Sequence, residues 1–576
     1  MERNDSLSFN FIRVGGGGGG QQVMPPEGNS TIDAKSTSQL PAFNIKRIAI
    51  IGAGPSGLAS AKHLLAEGFL ASQIDVYEQQ TDVGGVWSYS AVTSRDPPQV
   101  PQTDAHAALD IPIYPEEKEK DEYEDYVFDS DEEASTAPGS GACSLPAVSR
   151  TQEKQPPNFP KSPWFTADGK GKGKGTHEGC EIFPSRQVVQ EYLLRYARDV
   201  RHLVRFSTQV TGVSLQQPIL SDAQDGAKSK IREKWTIRST NLLTDVARVE
   251  DYDAVVVASG HYSTPFIPSV PEISTFAMEH PGAISHSKTY RTPYDFRGKR
   301  VVIVGSSASG LDIASQISPV CASPLIISAR SPIPQDMEEH MGVGDKMRVV
   351  GQIKQFLVNE RGIEVFSTPT SAGAEAEDKR ETERILDIDA VLFCTGYLFT
   401  FPFISASSLP SSTPPLVTDG RRVHGIARHF IHTHHPTLMF PALPIKIIPF
   451  PLAEAQAAVF SRLWSNRLPL PSQEELQRWE REDEEGKGFE GERVEGKSFH
   501  VFPKGGDARY INALHDWALQ ARDAPSEGGE KRAKGKEPPY WGDEELWQRS
   551  IYAQAKMQFE KSGRKAKTLQ ELGFQH

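Results

Sequence analysis

Two glycine-rich turns, each directly after a short aliphatic run, constrain the fold of this chain more than any other feature. The first run, Lys46 to Ile51 (KRIAII), leads into Gly52-Ala53-Gly54-Pro55-Ser56-Gly57. The second, Lys299 to Val304 (KRVVIV), leads into Gly305-Ser306-Ser307-Ala308-Ser309-Gly310. A short aliphatic run bounded by glycine reads as a strand buried on both faces, the kind found in parallel sheets. A strand, a glycine turn and a helix form a cradle for a dinucleotide. The first glycine permits the turn, the second lets the backbone approach the pyrophosphate, and the third lets helix pack on strand. Amide groups at the helix N-terminus, carrying about half a positive charge, receive the phosphates. One such loop implies one dinucleotide. Two imply two dinucleotides meeting face to face, with electrons passing between them. The expected fold is α/β, with two Rossmann-like dinucleotide-binding domains, the second inserted into a discontinuous first.

The residues around the loops make them unequal. After Gly57, Leu58, Ala61, Leu64 and Leu65 fall at helical spacing, and Ile74 to Tyr77 reads as the next strand. Glu78 ends that strand, where an acid accepts hydrogen bonds from a ribose. Next come Val83, Gly84, Gly85, Val86 and Trp87. Two adjacent glycines let backbone close on a flat or charged ligand, and Trp87 offers a wall. In the second loop Ser307 replaces the middle glycine, and its hydroxyl can donate to a phosphate. The strand Leu325 to Ser328 is followed by Ala329 and Arg330, with no acid. An acid there would repel a 2′-phosphate; Ser328 and Arg330 would bind it, which favours NADP(H) over NAD(H).

Composition excludes several classes. The chain has 576 residues, enough for two or three domains, and a net charge of −12, which argues against a nucleic-acid partner. Its basic run Gly169 to Gly175 lacks the Ser or Thr of a P-loop after Lys174 and reads as a linker. No apolar run is long enough for an integral membrane span, and the N-terminus lacks the apolar segment of a secretory signal. Cys143, Cys180, Cys321 and Cys394 form no Cys-x-x-Cys. They fit a reducing, cytoplasmic setting with no structural disulfide and no metal site, and they remove the disulfide reductases from contention. His432, His434 and His435 read as a capping or packing group.

Four segments follow. Residues 1–43, with six glycines at 15–20, are expected to be a disordered tail. Residues 44–264 form the first part of the first nucleotide domain, interrupted at 91–180 by a flexible insertion with an acidic run over 116–133. Residues 265–386 form the second nucleotide domain. Residues 387–576 return to the first domain and end in helices, near 510–520 and 545–559.

Together these residues resemble the flavin-containing monooxygenases, class B flavoprotein monooxygenases, and in particular soluble fungal-type members. The match runs through Gly52 to Leu58, Glu78 and Gly84 to Trp87, then Phe183 to Arg186 and Ser259 to Tyr262. It continues through Gly282, His286 and Tyr290 of the family fingerprint, and Cys394-Thr395-Gly396-Tyr397. His280 stands where the fingerprint opens with Phe. The resemblance implies FAD on the first loop and NADP(H) on the second, with Thr395 and Gly396 also at the cofactors. Gln456 falls in a segment resembling a family helix that faces the flavin. It implies O2 as co-substrate, a C4a-hydroperoxyflavin, and a small thiol, sulfide or amine as acceptor, an activity of the N,N-dimethylaniline monooxygenase type. The family's flavin-proximal Asn is matched only by Asn158, displaced beyond the insertion and preceded by Pro157. A cytoplasmic protein, or one peripheral at the endoplasmic reticulum, is implied, and a homodimer stays open. Two rivals remain: a Baeyer–Villiger monooxygenase, and a catalytically silent flavoprotein that binds both cofactors.

Overall fold

Ile48–Ile51 (β1) is buried at every position because it lies between two parallel neighbours, Ile74–Tyr77 (β2) and Ala254–Val257 (β3). A strand covered on both faces has no solvent side to alternate toward, which explains its wholly apolar sequence. The computed structural model describes residues 42–88, 98–106, 182–184, 186–216, 230–231, 233–344, 346–367, 381–491, 499–522 and 535–576. Val204–Arg205 lies beyond β2, and Leu438–Met439, Ile431–His432 and Ile426–Ala427 lie beyond β3, making a seven-stranded sheet. The helix Pro55–Ala66 (α1) follows β1.

A second sheet of five parallel strands repeats the plan. Val301–Val304 (β4) sits between Leu325–Ser328 (β5) and Ala390–Phe393 (β6), with Met347–Val350 and Ile284–His286 at the edges. The helix Ala308–Ile317 (α2) follows β4. The position of β6 moves a boundary. The sequence places residues from 387 on in the first domain, yet β6 is hydrogen-bonded into the middle of the second sheet. Only after Cys394 does the chain leave it.

Two antiparallel sheets flank these. One pairs Thr208–Leu215, Trp235–Asn241 and Ala247–Tyr252. The other pairs Ile353–Leu357, Gly362–Phe366 and Thr382–Ile385. Pro449–Trp464 (α3) is buried from Phe450 to Trp464 and packs along α1. The end helices are longer than expected, Gly506–Leu519 (α4) and Asp543–Lys561 (α5). α5 places Ala555 and Phe559 against Ile182 and Phe183.

The chain crosses between the two large sheets twice, and the crossings are tied together. Thr264–Pro265 pairs antiparallel with Tyr397–Leu398. Gln102 exchanges both backbone hydrogen bonds with Ile267, each 3.0 Å, and is buried together with Ala105. This corrects the expectation of a flexible insertion at its near end, where backbone pairing orders residues 98–106. Residues 1–41 and 107–181 lie outside the described residues, and with them the expected tail and acidic run.

Candidate functional site

The two loops are built alike, and the protein's own atoms say which glycines each requires. Gly52 has φ +106°, and a Cβ there would lie 2.5 Å from the Ala258 carbonyl oxygen, at the end of β3. A Cβ on Gly57 would lie 1.9 Å from the Gly52 carbonyl oxygen. In the second loop Gly305, at φ +117°, would clash with the Cys394 carbonyl oxygen at 2.7 Å, and Gly310 with the Gly305 carbonyl oxygen at 2.0 Å. Each first glycine thus lets the loop press against the adjacent strand end, and each third glycine lets the helix press against the loop.

Gly54 is different. A Cβ there would meet only Gly85 backbone, 3.6 Å away, an ordinary contact. The fold does not require glycine at this position; a pyrophosphate approaching such a loop would. The N-terminus of α1 agrees, since it has no acid in its first turn, Pro55 at its start and no side-chain cap. α2 likewise starts at Ser307 with no side-chain cap and no acid in its first turn. Ser307 is exposed, and Ser306 and Ser309 are partly so. The residues present therefore fit nucleotide phosphates at both loops.

Glu78 is buried at the end of β2. Its Oε2 accepts from the Ala53 amide at 2.7 Å and its Oε1 from the Gln80 amide at 2.9 Å. Burial pushes its carboxyl above the ordinary value, while the Gln80, Ala53 and Gln79 amides pull the other way. Each oxygen keeps lone pairs for a ribose. Gly84 and Gly85 have φ +126° and +59°, and the Gly84 amide donates to the Ala53 carbonyl at 3.1 Å. The second glycine turn is thereby docked onto the first loop. Trp87 is buried edge-on to Phe450, 6.1 Å between centroids, while Val86 is 43% exposed.

The apolar spacing over Val188 to Val200 predicts a helix, and the structure has one at Arg186–Tyr196, with a role that the sequence reading misses. Arg186 Nη1 donates to the Trp87 carbonyl, and Gln190 Nε2 to the Val83 carbonyl, both at 2.8 Å. These residues are four apart and share one helix face, and that spacing was the available signal. Gln190 Oε1 is buried without a hydrogen-bond partner, and a Cβ on Gly84 would lie 2.2 Å from it. An orphaned acceptor beside a glycine turn fits a site completed by a bound group.

At the second loop, the Gly305 amide donates to the Ser328 carbonyl at 2.9 Å. Two expectations change here. Ser328 Oγ donates to the Gly351 carbonyl at 2.9 Å and is buried, so its proton is not offered to a phosphate. Arg330 is exposed. Thr395 Oγ1 donates to the Phe266 carbonyl, and the Gly396 carbonyl accepts from the Phe266 amide at 2.9 Å and from His286 Nε2 at 3.0 Å. Thr395 and Gly396 therefore pin the domain crossing. Gln456 is corrected as well. It is fully buried, with Oε1 accepting from the Ala442 amide at 2.7 Å and Nε2 donating to Tyr510 at 2.9 Å. Its amide is turned into the core rather than toward a ligand. Asn158 lies outside the described residues.

The histidines act as scaffolding. His432 Nδ1 accepts from the His434 and His435 amides at 3.3 and 2.9 Å, which is a capping role. A second group, His429, Asp483 and Glu490, brings three potential ligand atoms within 4.8 Å of one another. Its hydrogen bonds oppose a metal. The Val423 amide donates to His500 Nε2, which leaves the His500 proton on Nδ1, facing His429 Nδ1 at 3.2 Å. His429 Nε2 then carries a proton toward Glu490, and the Arg428 guanidinium already occupies Asp483.

Comparison with known proteins agrees with this geometry. The family described as flavin-binding monooxygenase-like matches residues 177–368, and an FAD-NAD(P)-binding family matches residues 49–262. These matches make the chain similar to the flavin-containing monooxygenases over most of its length, and they imply an oxidoreductase that binds a flavin and NAD(P). It is 29% identical to flavin-containing monooxygenase FMO GS-OX-like 3 of Arabidopsis thaliana, over 74% of this chain and 78% of that relative. Two fungal relatives, iboF of Amanita muscaria and ustF2 of Aspergillus flavus, are each 28% identical. They match over 84% and 83% of this chain, and over 90% and 92% of their own lengths. The fold is similar to that of S-allyl-L-cysteine S-oxygenase from Allium sativum, with a TM-score of 0.60 and 22% identity over 92% of this chain and 97% of that one. Among the described residues no helix is long and apolar enough to cross a membrane.

Proposed function

We propose that this chain is an FAD- and NADPH-dependent monooxygenase that transfers one oxygen atom of O2 to a soft nucleophile, a thiol or sulfide sulfur or an amine nitrogen, of a small molecule. The observation that carries the reading is Gly54. The fold tolerates a side chain there, and the position is glycine in the loop that has an acid, Glu78, at the ribose position. FAD belongs on that loop, with its pyrophosphate on the amides that open α1 and its ribose on Glu78. NADPH belongs on the second loop, with its pyrophosphate at the start of α2 and its 2′-phosphate at Arg330.

When bound, the reduced flavin supplies the electrons that activate dioxygen. The chain's own residues bind, orient and exclude water. Arg186 and Gln190 hold the Gly84–Trp87 turn in place, and Trp87 and Phe450 keep its flank apolar. His286, through Gly396, keeps the two nucleotide loops in register. A soft nucleophile needs no side-chain nucleophile to accept oxygen, which agrees with the structural roles of the histidines. Thioethers and thiols are the first substrates to offer, since the Allium sativum protein of the same fold is an S-oxygenase of S-allyl-L-cysteine.

The test is direct. Purified protein should carry FAD, and should oxidise NADPH faster when cysteamine or a thioether is added, yielding the oxygenated product. Protein that binds FAD and NADPH but forms no oxygenated product from thiols, thioethers or amines overturns the proposal.

A further inference from the structure

With the Ser328 hydroxyl committed to Gly351, the 2′-phosphate position keeps only one of its two expected ligands, Arg330. A second guanidinium stands close by. Arg421 lies in the turn between Leu416 and Val423, both packed in the core with Ile51 and Val255 of the first sheet. Its Cζ lies 3.7 Å from the centroid of the Phe266 ring. Phe266 is itself fixed at the crossing, through its amide to Gly396 and its carbonyl to Thr395. Thr395 follows Cys394, the residue against which Gly305 is packed. The stack thus holds Arg421 at the carboxyl edge of the five-stranded sheet, where the second loop and Arg330 also sit. Burial lowers the Arg421 pKa from its ordinary value and the nearby Arg330 charge lowers it further, with Asp419 opposing. Two guanidiniums held together repel, and a doubly charged phosphate relieves that repulsion while matching both planar forks.

We propose that Arg421 reaches from the first unit across Phe266 and, with Arg330, clamps the 2′-phosphate that distinguishes NADPH from NADH. This rests on the reading of the second loop as an NADPH site. It adds that the nucleotide is gripped by both units, because Arg421 belongs to chain that has returned to the first.

The experiment compares flavin-loaded wild type, R421A, R421K and R330A with NADPH and NADH, and measures protection against heat by 2′,5′-ADP and by 5′-AMP. R421A deprives the phosphate of one of its two charged partners. It should raise the KM for NADPH about tenfold or more, with kcat and the KM for NADH changed less than about twofold. R421A should also reduce protection by 2′,5′-ADP toward that given by 5′-AMP, which should be unchanged, and R421K should fall between wild type and R421A. The double variant R330A/R421A should lose less than the product of the two single losses, because both arms hold one phosphate. An R421A enzyme with normal flavin content that keeps the wild-type preference for NADPH overturns the inference. A wild type that oxidises neither nucleotide overturns the cofactor reading itself.

Discussion

At the scale of single residues, the glycines of the first loop divide into those the fold requires, Gly52 and Gly57, and one it does not, Gly54. Gly57 has no room for a Cβ, so Gly57→Ala should lower the stability of the flavin-free protein by about 2 kcal/mol or more. Gly54→Ala meets only an ordinary contact. It should leave the flavin-free protein within about 1 kcal/mol of wild type and still abolish flavin retention. Denaturant titration of the stripped proteins, with flavin content measured before stripping, separates the two; equal destabilisation by both would contradict this account of the loop. The turn at Gly52 and the close packing at Gly57 were legible because a strand, a tight turn and a helix in immediate succession have few alternatives. Ser328 and Gln456 were not legible as they stand. Which partner takes a hydroxyl or an amide depends on backbone brought in from Gly351 and Ala442, residues remote from the motif.

His286 supplies a pH prediction at the same scale. Its Nδ1 accepts from the Lys288 amide at 3.1 Å while Nε2 donates to Gly396, so the ring is held neutral. Burial, with the Lys288 charge adding to it, lowers its pKa to about 4, and burial alone does the same for His261. The unfolded chain takes up these protons near pH 6.5 and the folded chain near pH 4. Stability should therefore be full above about pH 6.5 and fall as pH drops toward about 4, by about 3 kcal/mol for each ring. Asp483, pushed up to about 6 by burial, acts in the opposite sense over part of that window. His286→Gln can keep the donor bond to Gly396 without titrating, so its melting temperature should fall less steeply between about pH 6.5 and 4 than that of wild type. Parallel slopes would count against the neutral ring.

Elements differ in how far their partners could be inferred. β1 and β4 were legible because they are apolar throughout. β6 was legible as a strand but not as a member of the second sheet, since an aliphatic run does not say which sheet will pair with it. The three-stranded antiparallel sheets were barely visible, because Gly212 and a bulge in Thr208–Leu215 interrupt the alternation. α3 reads in the sequence as a proline-broken apolar stretch. In fact Pro449 and Pro451 sit in its first turn, where their missing amides cost little. Its one buried acid, Glu454, ties it to α1 and to the helix Arg186–Tyr196. Glu454 accepts from His63 Nε2 at 2.7 Å and from the Tyr196 hydroxyl, and pairs with Lys536. Burial opposes its ionisation, but His63 and Lys536 prevail and hold its carboxyl down to about 2. Glu454→Gln should cost about 3 kcal/mol at neutral pH, read by urea unfolding. That contribution should be present above about pH 4.5 and decline as pH falls toward about 2. A loss below about 1 kcal/mol would mean the tie is not structural.

For the whole molecule, a seven-stranded mixed sheet and a five-stranded parallel sheet are joined by crossings that share the Thr264–Pro265 and Tyr397–Leu398 pairing, with Gln102 and Phe266 beside it. The existence of two nucleotide units was legible, because each rests on a local strand, turn and helix. Their joining was not, since Gln102 and Arg421 are remote in sequence from the loops they serve. The central claim is that electrons from NADPH end in oxygen transfer to a soft nucleophile. The most direct measurement supplies heavy-isotope dioxygen to the purified flavoprotein with NADPH and a thioether. The account predicts one heavy oxygen atom in each sulfoxide formed and one NADPH oxidised with it. NADPH consumption with hydrogen peroxide released and no heavy oxygen in the thioether would contradict it.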